Sequence, residues 1–403
     1  MNTVTFRGAD RMFAFEESQT LAMARRVREL KAAGKSIFSL TLGEPDFDTP
    51  QHIKQAAVIA LEKGYTKYPP VPGIPELRTS VANWLSNLTG ANYIDQEVVI
   101  STGAKQSLVN AVMSLVNPGD EVIIPTPCWV SYIDMVKMAG GKIIMVETSV
   151  ENDYKLTPEQ LSAAITPQTR LLMTSSPSNP TGCVYSQNEL QGLAEVLLRY
   201  PNCFVISDEI YSLISYDTTA ASIAGIKGMK EKTITISGVS KAFAMTGWRI
   251  GFMAAPVWIA KLCEKYQGQI TSGANIIAQY AALEAITADL TPTYRMVSEF
   301  KKRRDAGIQQ IKNNLPNWVI NKPEGAFYFY PEISAIFGKQ TPNGKVIANP
   351  DDFTEFLLEE AGVAVVSGTA FGTNSHIRLS YACSVEMLSE AIQKIAQAQS
   401  RLH

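Results

Sequence analysis

Two cations stand alone in an apolar run. Lys241 and Arg249, in "SGVSKAFAMTGWRIGF" (237–252), are the only charged residues between Thr233 and Ile259. A lysine among apolar and small neighbours loses hydration, and a nearby cation adds repulsion; both favour the neutral amine. A neutral amine is what a carbonyl needs for Schiff-base formation. The arginine needs a counter-anion of its own, and its forked guanidinium suits a phosphate.

Other short runs deliver polar groups in a similar way. "EVVIS" (97–101) passes into "TGAKQ", where Gly103 allows a sharp turn and Ala104 and Lys105 start a helix. The bare N–H groups of such a helix start form an anion site. "EVIIP" (121–125) leads to Trp129, "RLLMTS" (170–175) to Asn179 in "SPSNPTG", and "FVISD" (204–208) ends in Asp208 with Tyr211 a turn further on. An aldehyde bearing a phosphate, with a ring nitrogen wanting a carboxylate and a flat face wanting an aromatic, is pyridoxal phosphate. Each residue also has a plainer reading. Lys241 could snorkel from a strand end, Asp208 could cap a helix, Trp129 could be core, and Arg249 could pair with a structural carboxylate. Taken singly, the plain readings win. Their joint placement favours the ligand.

The elements that position these groups alternate. The strands named above, with "KIIMVE" (142–147) and "TITIS" (233–237), are separated by helical patterns such as 104–116. "TPEQLSAAI" (157–165) opens with Thr157 as cap and Gln160 completing a capping box. Strands alternating with helices predict an α/β fold, a mostly parallel sheet flanked by helices, with ligands outside the carboxyl ends of the strands. The ends read differently. Residues 18–35 form an amphipathic helix closed by Gly34, and the pattern changes to charged helices and short aromatic strands from about 295. The expected division is 1–45 as arm and part of a small domain, 46–295 as the large α/β domain, and 296–403 completing a small α+β domain.

The 403 residues are 46% hydrophobic and 18% charged, with net charge −2. That composition suits a large packed core and gives no field favouring nucleic acid or an anionic membrane. The three histidines and five cysteines are scattered without metal-ligand spacing, so no metal site is expected. The N-terminus lacks an apolar stretch of signal length, and no run of about 18 apolar residues occurs. The expectation is a soluble cytoplasmic protein.

"SKAFAMTGWRIG", "SNPTG", "SDEIY", "GEPDFDTP", "KYPPVPGIPELR" and "GAFYFYP" through "IRLSYA" resemble the class I aminotransferases, fold-type I pyridoxal-phosphate enzymes, from about residue 11 to the end. The resemblance is to the bacterial aspartate aminotransferase branch. It implies that Lys241 is the Schiff-base lysine and Arg249 a phosphate ligand. Asp208 would bond the pyridine nitrogen, Tyr211 and Asn179 the phenolic oxygen, and Trp129 would stack on the ring. Gly103, Ala104 and Lys105 lie where backbone amides meet the phosphate. Tyr68 matches a phosphate-binding tyrosine given by a neighbouring subunit, which implies a homodimer with shared sites. Arg378 matches the arginine that grips the substrate α-carboxylate, helped by the Gly43 backbone. Lys105 would meet a second carboxylate, favouring aspartate and glutamate with their 2-oxo acids in ping-pong transamination; Arg11 is a candidate contact for prephenate. One departure is Gly238, where many relatives carry a phosphate-binding serine, so Ser237 or Ser240 must substitute. Another is Ser178, which replaces an asparagine.

Alternatives with the same cofactor are a β-lyase, an aminocyclopropane-carboxylate synthase, or an aminotransferase of aromatic or broad specificity. A non-catalytic regulator on this fold is disfavoured because only about 40 residues precede "LGEPDF", with no basic recognition helix. A nicotinamide dehydrogenase is disfavoured because no G-x-G-x-x-G follows the first strand.

Overall fold

Strand alternation sorts side chains onto two faces, and the central sheet buries both. The computed structural model describes residues 8–13, 15 and 19–403. Among them, β1 (Phe38–Ser39) precedes the strands of the main sheet. These are β2 (Val98–Ser101), β3 (Glu121–Thr126), β4 (Lys142–Glu147), β5 (Thr169–Ser175), β6 (Phe204–Asp208), β7 (Thr233–Gly238) and β8 (Gly251–Ala254). Four more follow: β9 (Tyr328–Phe329), β10 (Val363–Ala364), β11 (Val366–Ser367) and β12 (Ile377–Ser380).

The seven-stranded sheet has the order β2-β8-β7-β6-β5-β3-β4. Its pairs are parallel except where β8 runs against β2 and β7. Successive residues face opposite sides. Leu171, Met173 and Ile206 join the cluster under helix Ala104–Leu115, whereas Leu172 and Val205 join the one under helix Gln187–Leu197. Both faces are therefore covered, as a parallel sheet requires. The edge strand β4 is the exception, with Lys142 and Glu147 exposed, a charged rim that discourages edge-to-edge pairing.

The expected strands of the main sheet form with end shifts of a residue or two, helix 18–35 narrows to Gln19–Ala32, and the capping box forms at Thr157, whose hydroxyl accepts from Gln160 N–H at 3.2 Å. Strand β8 escaped the sequence reading, being short and directly after the Lys241–Arg249 loop. The expected boundary near 295 falls inside the continuous 24-residue helix Thr291–Asn314. The two ends of the chain meet: β1 pairs in parallel with β10, and Ser380 N–H donates to Leu40 O at 2.8 Å. Strands β11, β12 and β9 form an antiparallel sheet that carries Arg378. No helix among the described residues is long and apolar enough to cross a membrane.

Candidate active site

The parallel strands β5, β6 and β7 end at one edge of the sheet, and the loops leaving that edge enclose a cavity of about 260 Å³. Lys241, Arg249, Asp208, Tyr211, Trp129, Asn179, Ala104, Lys105 and Ser240 line it, joined by Arg378 from β12 and Gly43 from the segment after β1. Gly43 and Arg378, 335 positions apart in sequence, thus share one wall-to-wall space.

The start of helix Ala104–Leu115 shows how the backbone makes room. Gly103 has φ +80°, and a Cβ there would collide with the Arg249 guanidinium. A Cβ at Gly251 would collide with the backbone of Gly103 and Ala104. Two absent side chains let the arginine lie against the helix N-terminus, where both the guanidinium and the helix start attract an anion. Arg249 itself has φ +57°, a left-handed conformation that costs a non-glycine residue on the order of 1 kcal/mol. Its Nη1 donates to Thr246 O at 3.0 Å.

Lys241 is half-buried by surface area because its side chain borders the cavity, although it lies deep in the fold. Desolvation pulls its pKa down to about 8; Glu44 opposes this, while Arg378 and Arg249 reinforce it. Its Nζ donates to Gly43 O. Asp208 is pushed up by burial, against the downward pull of the Tyr132 hydroxyl, the Ile210 N–H and Lys241. Tyr132 Oη donates to its Oδ2 at 2.7 Å, and Ile210 N–H to its Oδ1 at 3.2 Å. Burial first, then Tyr328, raises Tyr211 well above the usual phenol range.

Arg378 is almost wholly buried between two aromatic faces, its guanidinium 4.5 Å from the Tyr328 ring centroid and 4.9 Å from that of Phe371. It donates to Asn179 Oδ1 at 2.9 Å and to Thr41 O at 2.7 Å, while its buried Nε has no partner among the described residues. Burial lowers its pKa, but an arginine starts so high that it stays charged. Lys105 reaches back over Trp129, its Nζ 4.8 Å from the ring centroid.

Two expected residues lie elsewhere. Ser237 is buried on β7 with its hydroxyl pointing at Glu209 O, 3.4 Å away, and does not line the cavity. The inward-facing serine is Ser240, because residues of a strand alternate faces whereas Ser240 sits on the turn beyond it. Tyr68 is 93% exposed and takes no part in this chain's own cavity. Arg11 has its side chain outside the described residues.

The sequence reading missed three contributors. Tyr132 bonds Asp208, Tyr328 bonds Tyr211 Oη at 2.7 Å and stacks on Arg378, and Thr20 brings helix Gln19–Ala32 to the cavity. Tyr132 had a signal, its position three residues after Trp129 and so on the same side of a helical turn. Tyr328 sits in the aromatic run "GAFYFYP", where nothing in the sequence marks one tyrosine for the cavity.

Comparison with known proteins bears on the family and the fold. The pattern described as "Aminotransferase class I and II" matches residues 35–395. A probable aspartate/prephenate aminotransferase of Rhizobium leguminosarum bv. phaseoli is 44% identical over 96% of this chain and 97% of its own length. An aspartate/prephenate aminotransferase of Cereibacter sphaeroides is 45% identical over the same shares, 96% and 97%. The crystal structure of the aspartate aminotransferase from Rhizobium meliloti superposes with a TM-score of 0.95 at 41% identity, covering 99% of this chain and 100% of that one. The aspartate aminotransferase of Thermus thermophilus with maleate gives 0.91 at 39% identity, covering 98% and 100%. With the family pattern matched over most of its length and relatives above 40% identity along nearly all of it, the chain belongs to the class I and II aminotransferase family.

Proposed function

We propose that this pyridoxal-phosphate-dependent aminotransferase takes the dicarboxylic amino acids aspartate and glutamate as donors and their 2-oxo acids as acceptors. The observation that carries this reading is the charge count of the cavity. Among the described residues, four cations, Lys105, Lys241, Arg249 and Arg378, line it against a single acid, Asp208. A bound phosphate brings about −1.5 to −2 charge. Asp208 would face a protonated ring, and Arg378 would take one carboxylate. Lys105 then remains, and only a substrate with a second carboxylate uses it. Relatives named for aspartate, or for aspartate and prephenate, agree with two-carboxylate substrates. Prephenate is a second acceptor reading on the same chemistry, since it also bears two carboxylates.

The residues fit the cofactor. An anion cradle stands ready at Gly103 and Arg249, an indole face lies at Trp129, and a buried carboxylate and a depressed lysine border the same space. Arg249, the Ala104 backbone and Ser240 would hold the phosphate, Asp208 the ring nitrogen, and Tyr211 and Asn179 the ring oxygen. Bound there, pyridoxal phosphate supplies the carbonyl that captures the amino group and the ring that accepts electrons.

The chain's own residues do the rest. Arg378 offers charged donors to the α-carboxylate and fixes the substrate's orientation. Thr41 O and Asn179 Oδ1 hold the guanidinium still. The Asn179 oxygen faces Arg378, so its amide N–H groups are what it offers to a ligand. Lys241, with a pKa near 8, is neutral in part of the population at neutral pH and takes the proton from the substrate α-carbon as general base. Asp208 keeps a proton on the ring nitrogen by charge. In the same reading the protein is a cytoplasmic homodimer, with Tyr68 reaching the second copy's phosphate site and the chain divided into a large domain (46–295) and a small one built from both termini.

Lys105→Ala should lower kcat/KM for aspartate by about 10- to 100-fold, the worth of a charged hydrogen bond. The same variant should change kcat/KM for alanine little. Steady-state kinetics on both donors decides, and equal losses would remove Lys105 from substrate recognition.

A further inference from the structure

Tyr132 touches two of the groups just assigned, yet the reaction as described does not use it. It is 2% exposed. Its hydroxyl donates to Asp208 Oδ2 at 2.7 Å, and its ring stands edge-on to Trp129 with centroids 5.5 Å apart and planes at 89°. One residue therefore touches both the carboxylate meant for the ring nitrogen and the indole meant for the ring face. Helix Ser131–Met138 places it, with Tyr132 its second residue and the third after Trp129.

The direction of the hydrogen bond matters. Burial first, then the Asp208 charge, raises the Tyr132 phenol well above its ordinary range, so it keeps its proton and can only donate toward Asp208. A fixed donor favours the carboxylate over the carboxylic acid. Burial of Asp208 acts the other way. The other ionisable groups around Asp208 are Lys241, whose charge helps the anion, and Glu209 and Tyr211. Glu209, pushed up to about 7 by burial, turns instead to the Ser207 and Ser222 hydroxyls at 2.8 and 2.6 Å. Besides Lys241, then, the side-chain support for an ionised Asp208 is the Tyr132 phenol.

We propose that Tyr132 is a positioning residue that holds Asp208 as an oriented carboxylate and keeps Trp129 edge-braced, so that a single side chain sets two walls of the ring site. This rests on reading the cavity as the pyridoxal-phosphate site. The two functions separate by substitution. Tyr132→Phe removes one oxygen and keeps the brace; Tyr132→Leu removes both.

The test measures pyridoxal-phosphate dissociation by absorbance and tryptophan quenching from pH 5 to 9, for the wild type and both variants. Tyr132→Phe should raise the dissociation constant on the order of tenfold, the size of a lost charged hydrogen bond. Its affinity should also begin to fall at higher pH than that of the wild type, because Asp208 takes up its proton sooner. Tyr132→Leu should weaken binding further and alter Trp129 emission. In an Asp208→Ala background, Tyr132→Phe should have almost no effect on binding, since its action passes through Asp208. If Tyr132→Phe matches the wild type in affinity and pH dependence, or weakens binding equally in both backgrounds, Tyr132 is packing only and the proposal falls. A wild type that fails to bind pyridoxal phosphate would overturn the cofactor site itself, a separate result from an unaffected Phe variant.

Discussion

The surroundings of Lys241 and of Arg378 hold two cations in one cavity and lower the pKa of both, with different consequences. Lys241 meets a backbone carbonyl, other cations and apolar walls, and its pKa drops to about 8. Arg378 is more deeply buried but lies between two aromatic faces and donates to two oxygens. Desolvation acts on both. It reaches neutrality only for the amine, because a guanidinium keeps its proton in any folded protein. In the proposed reading, the cavity sets a base beside a permanent anion clamp by choice of residue type as much as by environment.

Exchanging the types breaks the contrast most directly. Lys241→Arg keeps the charge and removes the ability to lose a proton, so kcat should fall on the order of 10⁴-fold, as far as with Lys241→Ala. Turnover by the Arg variant near the wild-type rate would end the general-base role at 241. The reciprocal change, Arg378→Lys, keeps a positive charge but loses the planar fork and the stacking on Tyr328 and Phe371. There kcat/KM should fall about 100-fold with most of the loss in KM, read from initial rates over a range of aspartate concentrations. A loss confined to kcat would mean that Arg378 orients the reacting centre rather than gripping the carboxylate.

The same contrast governs what the sequence disclosed. The wall around Lys241 is local: Asp208 ends a strand, Asn179, Gly103 and Lys241 each follow one by a few residues, and strand ends can be read from apolar runs. Arg378 was placed through a resemblance rather than through any pattern around it, because its partners come from Thr41, Asn179 and Tyr328. Such long-range pairs leave no spacing to read. Ser237 and Ser240 illustrate the finer limit. Both are serines beside the lysine, and only the end of β7 after Gly238 decides that Ser240 reaches the cavity. Tyr132 was hidden for another reason, since a tyrosine on an amphipathic helix reads as core until its hydroxyl is seen on Asp208.

The smallest expected effect is thermodynamic, and it tests whether the depressed amine is a cost of the fold. In the cofactor-free protein, Lys241 has a folded pKa of about 8 against an ordinary value of 10.5. Below pH 8 the lysine is charged both folded and unfolded, and the folded state bears the full penalty of holding that charge where burial disfavours it. Between pH 8 and 10.5 the unfolded chain binds a proton that the folded one has released, so wild-type stability gains with rising pH relative to a chain without the group. Lys241→Met, similar in length and without charge, should therefore melt roughly 2 °C higher than the cofactor-free wild type at pH 7. The gap should narrow as pH climbs through the window and close above it. Calorimetry of both apoproteins at pH 7, 9 and 10.5 reads it out. A gap that stays constant with pH would assign the gain to packing of the methionine, and Lys241 would then sit in its pocket without strain on its charge, unlike the base the mechanism requires.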